Sequence, residues 1–240
     1  MTKLKEMCKV LRLAYVSDIY TEIPYENSIQ FLESVFQKEL ELREEAKATR
    51  LIKKAKFLQK KLLSSFQWNE NIHFPSHIDS QELCTLNFIG RKENLILTGS
   101  PGTGKTHLAT GIGHEACERG LEVRFYRVSD LAELLEKAWR EEKLTPFRNR
   151  FKNVDLIILD EMGYVPFNKE GAELLFQLIS DWYEQKSLII TSNLEFSQWN
   201  RVFSDARLTA ALVDRVIHHA HIVNFTGDSF RITNALSRQK

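Results

Sequence analysis

The chain has 240 residues, and its 33 basic and 32 acidic side chains leave a formal net charge of +1 at pH 7. This near balance excludes a uniformly basic coat for nucleic acid, although it is compatible with local basic patches. The length suits one large domain with a smaller appendage.

Cysteine usage and hydropathy narrow the class of protein. Cys8, Cys84 and Cys117 are widely separated and show no C-x-x-C spacing, so neither a disulfide framework nor a thiolate zinc site is indicated. No apolar stretch approaches the roughly 20 residues that span a bilayer, and the charged N-terminus is unlike a signal peptide. The sequence therefore predicts a cytoplasmic protein without a membrane partner.

Residues 1–66 predict a small all-helical N-terminal domain. They contain one proline and no glycine, and their apolar residues recur near the helical period. One apolar helix face is formed by Phe31, Leu32, Val35, Phe36 and Leu40, and a second runs from Ala48 to Leu62. The periodicity fails after Phe66, so residues 67–90 are predicted to be a linker.

Residues 91–240 predict an α/β core. Short β-rich runs alternate with amphipathic helical stretches, which is the pattern of a parallel sheet flanked by helices on both faces. The predicted strands are Leu95–Thr98, Val123–Val128, Leu156–Leu159, Leu188–Thr191 and His221–Phe225.

The first of these strands runs into a phosphate-binding motif. Residues 99–106 read Gly-Ser-Pro-Gly-Thr-Gly-Lys-Thr and match the P-loop pattern G-x-x-x-x-G-K-[ST] between a strand and a helix. The loop's N–H groups can cradle a triphosphate, Lys105 can reach the β- and γ-phosphates, and Thr106 offers a hydroxyl to Mg²⁺. The predicted ATP-binding residues are Gly99, Ser100, Pro101, Gly102, Thr103, Gly104, Lys105, Thr106 and His107.

Two carboxylates end the third predicted strand. Asp160 is predicted to bind Mg²⁺, and Glu161 is predicted to orient or deprotonate the water that attacks the γ-phosphate. Alternatively, Glu161 is only a helix N-terminal acid or an ion-pair partner. The strand at Val123–Val128 leaves room for Leu188–Thr191 between the two motif strands, so Asn193 would stand beside the γ-phosphate as a polar sensor. The alternative is that Asn193 only caps its strand.

An arginine from a neighbouring subunit often stabilises the transition state in such NTPases. Arg215, just before the last predicted strand, is the candidate catalytic arginine. Arg207 is the second choice, and a surface pair of Asp214 with Arg215 is equally compatible with the sequence. After the last strand only residues 226–240 remain, too few for a C-terminal helical lid, and Arg231 among them is expected to be a surface residue.

These motifs together resemble the IstB-like ATP-binding proteins, AAA+ helper ATPases of insertion sequences that are related to the DnaC helicase loader. The resemblance runs from about Phe74 to Arg238. It rests on Phe88–Ile89, residues 99–109, residues 159–164, Thr191–Asn193, Trp199 with Phe203, Asp214–Arg215 and residues 227–231. Ser100 departs from the family, which often has proline or another small residue there.

The resemblance implies an AAA+ P-loop core with a parallel sheet flanked by helices, preceded by the helical N-terminal domain and without a C-terminal lid. It also implies a helper of DNA transposition. The ATP-bound protein would form a ring or spiral of identical subunits, with active sites between them. This assembly would form on duplex DNA, help to choose the target and engage a transposase, and ATP hydrolysis would reset it.

Basic residues of the N-terminal domain are predicted to contact the DNA backbone without reading bases. The set is spaced by 4, 3, 4 and 7 residues, so one continuous helix would present it as a single stripe: Arg43, Lys47, Arg50, Lys54 and Lys61. A solvated helix face is the alternative. Arg148, Arg150 and Lys152 form a second possible DNA surface, although ordinary surface charge is the simpler interpretation.

Three histidines cluster near the last predicted strand. No carboxylate or cysteine joins His218, His219 and His221 at metal-ligand spacing, so packing rather than zinc binding is predicted.

Three other functions remain open. A helicase loader of the DnaC type would share the core but bind a helicase. A small-molecule kinase would need an acceptor pocket and a mobile lid. A DNA-binding switch would use ATP only to drive assembly and would not hydrolyse it.

Overall fold

The structure is a computed structural model and describes residues 3–164, 166–203 and 205–237. Its strands are β1 (Ile72–His73), β2 (Asn94–Gly99), β3 (Val123–Arg127), β4 (Leu156–Met162), β5 (Ser187–Ser192) and β6 (Ala220–Phe225). Its helices are α1 (Lys3–Val10), α2 (Val16–Ile19), α3 (Ser28–Ala55), α4 (Ser80–Thr85), α5 (Asn87–Gly90), α6 (Lys105–Glu118), α7 (Val128–Arg140), α8 (Leu144–Asn149), α9 (Lys169–Trp182), α10 (Asn200–Phe203), α11 (Ala206–Ile217) and α12 (Phe230–Ser237).

The strands form one mostly parallel sheet in the order β1-β6-β2-β5-β4-β3. All five predicted strands are confirmed, and so is the placement of β5 between β2 and β4. Only β1 is antiparallel, pairing with β6. Because the carboxyl ends of parallel strands meet at one edge, the polar residues that follow β2, β4 and β5 come together there.

The sheet is buried on both faces, which explains why its strands read as continuous apolar runs. Leu95, Leu97 and Ile189 face the core formed with α6 and the end of α3, whereas Ile96 and Ile190 face the core formed with α7, α9 and α11. The predicted α/β class with helices on both faces is therefore confirmed. Within the described residues, the eight-residue α12 is the only helix after β6.

Helix α3 connects the N-terminal helices to the sheet domain. Asn27 caps its N-terminus, because the Asn27 side chain accepts hydrogen bonds from two backbone N–H groups. The helix ends before Lys56, which adopts φ +61°. Val35 packs against the N-terminal helices, whereas Leu51 and Ala55 belong to the core beside α6. One helix thus contributes to both hydrophobic clusters.

One sequence expectation for this helix is wrong, and the apolar face predicted from Phe31 to Leu40 is only partly covered. The predicted second face, which extended to Leu62, stops at Ala55, because the left-handed Lys56 turns the chain. Of the predicted first face, Val35 is 3% exposed, but Leu32, Phe36 and Leu40 are each about half exposed. The N-terminal helices α1 and α2 are too short to cover the whole apolar face.

The predicted linker at residues 67–90 is part of the folded core. It contributes β1, α4 and α5, and Ile72, Leu83, Phe88 and Ile89 are buried among the residues that pack under the sheet. Elements of two to six residues are too short to show a periodic pattern, which is why the sequence did not reveal them. The domain bounds at residues 66 and 90 stay a prediction.

The three cysteines are free. Among the described residues, no helix has both the length and the apolar character that crossing a membrane requires.

Close contact between α6 and the segment after α3 makes Gly111 sensitive to substitution. A Cβ at Gly111 would lie 2.9 Å from the Leu63 backbone nitrogen. We expect Gly111→Ala to lower the free energy of unfolding by about 1–2 kcal/mol, because overpacking outweighs the helix propensity gained. Urea unfolding measures the change. Gly90→Ala, where a Cβ meets nothing within 4 Å, is the matched control and should stay within about 0.5 kcal/mol. Equal stabilities of the two variants would contradict the expectation.

Candidate functional site

The P-loop lies between β2 and α6, where two glycines permit close backbone contacts. Gly99 has φ +129°, and a Cβ there would collide with the Phe225 carbonyl of β6. Gly102 has φ +82°, and a Cβ there would collide with the Ser229 side chain. The Phe230 N–H also donates to the Gly102 carbonyl at 3.0 Å. The start of α12 therefore holds the loop from outside.

Lys105 lies inside the curve of the loop. Its Nζ donates to the Gly99 carbonyl at 2.7 Å and to the Ser100 carbonyl at 2.6 Å. Burial lowers the pKa of Lys105 to about 8, an effect that Asp160 opposes and Arg231 reinforces. The positive charge of the ammonium group is thus only partly balanced by nearby groups, so Lys105 is suited to bind an anion.

The Asp160 carboxylate, 2% exposed at the end of β4, joins three elements. Its Oδ1 accepts a hydrogen bond from Thr106 Oγ1 on α6 at 2.9 Å and another from Thr191 Oγ1 on β5 at 2.6 Å. A carboxylate beside a hydroxyl is a donor set that Mg²⁺ prefers. Thr106 and Asp160 therefore fit the predicted metal site.

Glu161 lines the same cavity as Asp160 because the strand end is irregular. Pairing of β4 with β5 shifts register between Leu159 and Met162, and Glu161 adopts φ +64°. Its carboxylate lies 3.5 Å from Arg127 Nε at the end of β3. Glu161 is therefore in an ion pair here, the alternative raised from the sequence, while still facing the cavity. Arg127 is not among the site residues predicted from the sequence, where its only signal is its position at a strand end.

Asn193 follows β5 and lines the same cavity as the P-loop. In the described structure its buried Oδ1 has no hydrogen-bond partner. Buried polar atoms usually have one, so an unpaired oxygen at a cavity wall suits a bound water or ligand. The role of Asn193 as a polar sensor stays a prediction.

These side chains surround a cavity of about 700 Å³. The P-loop contributes Pro101, Gly102, Gly104, Lys105, Thr106 and His107 to its wall. The carbonyls of Gly99 and Ser100 bind Lys105, and the Thr103 hydroxyl donates to the Ser100 carbonyl at 2.8 Å. All nine predicted loop residues thus lie at the cavity or support it.

One cavity wall comes from the segment after α3, which the sequence analysis did not assign to the site. Lys61, Ser65 and Phe66 line the cavity, and Leu62 O lies 3.1 Å from His107 Nε2. The Phe66 ring also packs edge-on against His107, with centroids 5.4 Å apart. Nothing in the sequence pattern signalled a contact across more than 40 positions.

Two arginine expectations have different outcomes. Arg231, expected at the surface, is exposed but also lines the cavity mouth. Arg215 does not line this cavity: its guanidinium lies 4.9 Å from the Phe176 ring centroid and donates to the Ala211 carbonyl. Arg207 is exposed near the start of α11. A catalytic role for Arg215 or Arg207 in a neighbouring subunit stays a prediction.

The predicted basic stripe is only partly a single helix face. Arg43, Lys47, Arg50 and Lys54 lie on α3 and are exposed, but Lys61 lies beyond its end and lines the nucleotide cavity instead. The prediction of one continuous helix through Lys61 is therefore wrong.

Some of these charges are engaged within the protein. Arg43 pairs with Glu39 at 2.7 Å, and Lys54 pairs with Glu122 at 2.6 Å. Lys47 and Arg50 are the exposed members on α3 without an ion-pair partner among the described residues. DNA binding by the stripe stays a prediction.

The second possible DNA surface is partly paired within the protein. Arg148 lies 3.5 Å from Asp181, so part of that charge is neutralised.

Of the three histidines near the last strand, His221 is 7% exposed and hydrogen-bonded to Glu93, in agreement with the packing role predicted for it. For His218 and His219 the expectation that no carboxylate joins them is wrong, because Glu184 from another turn lies beside them.

The comparisons with known proteins agree with the fold and the motif. The family model described as IstB-like ATP binding protein matches residues 3–238. A protein of Bacillus thuringiensis subsp. berliner, named as an ATP-binding protein of insertion sequence IS232, is 33% identical over 99% of this chain and 93% of its own. One of insertion sequence IS5376 from Geobacillus stearothermophilus is 35% identical over 96% and 94%.

Solved structures are also similar in fold. AMPPCP-bound DnaA of Aquifex aeolicus matches with a TM-score of 0.58 at 23% identity, over 77% of this chain and 56% of that one. The DnaC helicase loader matches with a TM-score of 0.53 at 22% identity, over 69% and 96%. At these identities the likeness shows the fold alone.

Nucleotide affinity should fall at high pH, because Lys105 loses its proton. Its pKa is about 8 in the free protein, and adjacent phosphates would raise it, so binding takes up a proton above that pH. We expect calorimetry to show that the affinity for a non-hydrolysable ATP analogue changes little between about pH 7 and about pH 7.5. Above pH of about 8.5 it should fall towards tenfold per unit. Lys105→Arg, which stays charged, should bind more weakly without this slope. The same slope in that variant would contradict the assignment.

Proposed function

This chain belongs to the IstB-like ATP-binding protein family, and from that membership we propose that it is a Mg²⁺-dependent ATPase that assists DNA transposition. With ATP bound, copies of the chain assemble on duplex DNA, help to select the target and engage a transposase, and hydrolysis resets the assembly. The observation that carries the enzymatic part is the meeting of Lys105, Asp160 and Glu161 in one cavity. The names of the insertion-sequence relatives support the transposition part.

Phosphate binding follows from the loop and its lysine. The carbonyls of Gly99 and Ser100 hold the Lys105 ammonium inside the loop, next to the N-terminus of α6. A triphosphate in the curve of the loop would accept from the loop N–H groups and from Lys105. Thr106 and Asp160 would hold the Mg²⁺ ion, which neutralises charge that develops on the phosphate oxygens.

Hydrolysis requires a water positioned against the γ-phosphate, and Glu161 is the carboxylate available for it. It lies beside Asp160 at the cavity wall, and the Asn193 oxygen is unpaired there. The ion pair with Arg127 at 3.5 Å holds the Glu161 carboxylate to one side. Rotation away from Arg127 would let Glu161 accept a proton from the attacking water.

Replacing Glu161 should separate binding from turnover. We expect Glu161→Gln to bind ATP with nearly the parent affinity and to release phosphate at least about 100-fold more slowly, because an amide cannot accept the proton. Phosphate release is measured under conditions that allow assembly. Glu170→Gln, an exposed acid outside the cavity, is the matched control. Parent turnover in Glu161→Gln would rule out Glu161 as the catalytic base.

The relatives favour transposition over helicase loading. The insertion-sequence proteins match at 33% and 35% identity along almost their whole length, including the N-terminal helices. The DnaC helicase loader matches at 22% identity over 69% of this chain. A transposase rather than a replicative helicase is therefore the proposed partner. Arg215, half-buried and away from its own cavity, supports an active site completed by a second subunit.

Removing one stripe charge should reveal backbone binding to DNA. We expect Arg50→Ala to weaken binding to duplexes of different sequence equally, and to reduce the slope of log affinity against log salt by about 1. Fluorescence anisotropy with a non-hydrolysable ATP analogue measures both effects. Lys38→Ala is the control, since Lys38 is also an exposed cation of α3 but lies about 120° around the helix from Arg50 and pairs with Glu41. An unchanged slope in Arg50→Ala would remove Arg50 from the DNA surface.

A further inference from the structure

Two turns at the amino edge of the sheet bring together two imidazoles and a carboxylate. His218 and His219 lie between α11 and β6, and Glu184 lies between α9 and β5. One potential ligand atom from each side chain lies within 4.8 Å of the other two. This edge is opposite the P-loop, about 17 Å away along β5 at 3.3 Å per residue.

We propose that Glu184, His218 and His219 form a binding site for a borderline divalent transition-metal ion of the Zn²⁺ class. Two nitrogens and one oxygen match the donors that Zn²⁺ prefers, and water can complete a four-coordinate shell. Mg²⁺ prefers oxygen donors and would bind at the P-loop without competing. All three side chains are exposed, so an ion can enter from solvent.

The distances allow closure around one ion. His219 Nε2 lies 3.6 Å from Glu184 Oε1, and the two imidazole centroids are 4.1 Å apart. Donor atoms about 2.1 Å from a tetrahedral ion are about 3.4 Å apart. Rotations of exposed side chains therefore suffice to bring the three donors to bonding distance.

Tyr183 orients the His218 ring. Its hydroxyl lies 2.6 Å from His218 Nδ1. In the tautomer that is protonated at Nδ1, His218 donates to this oxygen and its Nε2 is left free as a metal donor. Metal-binding histidines commonly use their second nitrogen in this way.

Buried hydrogen bonds fix the separation of the two turns. Asn94, at the start of β2, donates from its side chain to the Val216 carbonyl at 2.9 Å and accepts from the Leu188 N–H at 2.9 Å. Its backbone N–H donates to the His219 carbonyl at 2.7 Å. The two ligand-bearing turns are thus held on either side of one buried residue, and a bound ion would link α11 to the α9–β5 turn.

Calorimetric titration of the untagged full-length chain with Zn²⁺, in excess Mg²⁺ and at neutral pH, tests the site. We expect one Zn²⁺ per chain, with affinity lowered about tenfold or more in each of His218→Ala, His219→Ala and Glu184→Gln. His73→Ala, an exposed histidine on β1, should bind like the parent. Tyr183→Phe should lower affinity while retaining one ion per chain.

Thermal unfolding supplies a second readout. Zn²⁺ at about 100 times the parent's dissociation constant should raise the Tm of the parent by about 5 °C or more, and the rise should be about half as large or smaller in each of the three ligand variants. Parent-like binding of an ATP analogue by the variants shows that they are folded. Parent Zn²⁺ affinity in the three variants, or no Zn²⁺ uptake by the parent, would overturn the proposal.

Discussion

The Asp160 carboxylate is the point on which the functional edge of the sheet depends. It is almost completely buried, and its two hydroxyl donors come from different elements, Thr106 on α6 and Thr191 on β5. Burying a carboxylate is costly unless nearby donors and positive charge compensate it. Lys105 supplies part of that charge, since Asp160 acts to raise its pKa. This balance ties the P-loop to the two strands beside it and leaves the carboxylate suited to a cation.

The strand order makes that arrangement possible. Because β5 separates β2 from β4, the hydroxyl of Thr191 and the amide of Asn193 end between the phosphate loop and the two acids. A sheet with β2 and β4 adjacent would place neither group there. DnaA and DnaC share this fold, so what distinguishes the present chain lies in its site residues and its N-terminal helices rather than in the architecture.

The parts of the molecule that were predictable from the sequence are those formed by a contiguous or regularly spaced set of residues. The five central strands are apolar runs with clear ends, and the P-loop is a contiguous motif, so both were recognisable. The two-residue β1 and the short α4 have no period to detect, and the end of α3 depends on one left-handed lysine. Arg127, Arg231 and Glu184 acquire their importance from residues more than 30 positions away, and no sequence pattern connects such partners.

The long helix α3 joins the nucleotide cavity to the far end of the molecule. Its 28 residues extend about 42 Å, and the segment that follows it forms a cavity wall against His107. A rigid rod of that length amplifies motion: a tilt of about 5° at the cavity end displaces the other end by about 4 Å. The half-exposed Leu32, Phe36 and Leu40 travel with that outer end. Any change in the tilt of α3 at the cavity would therefore displace an apolar surface far from the chemistry.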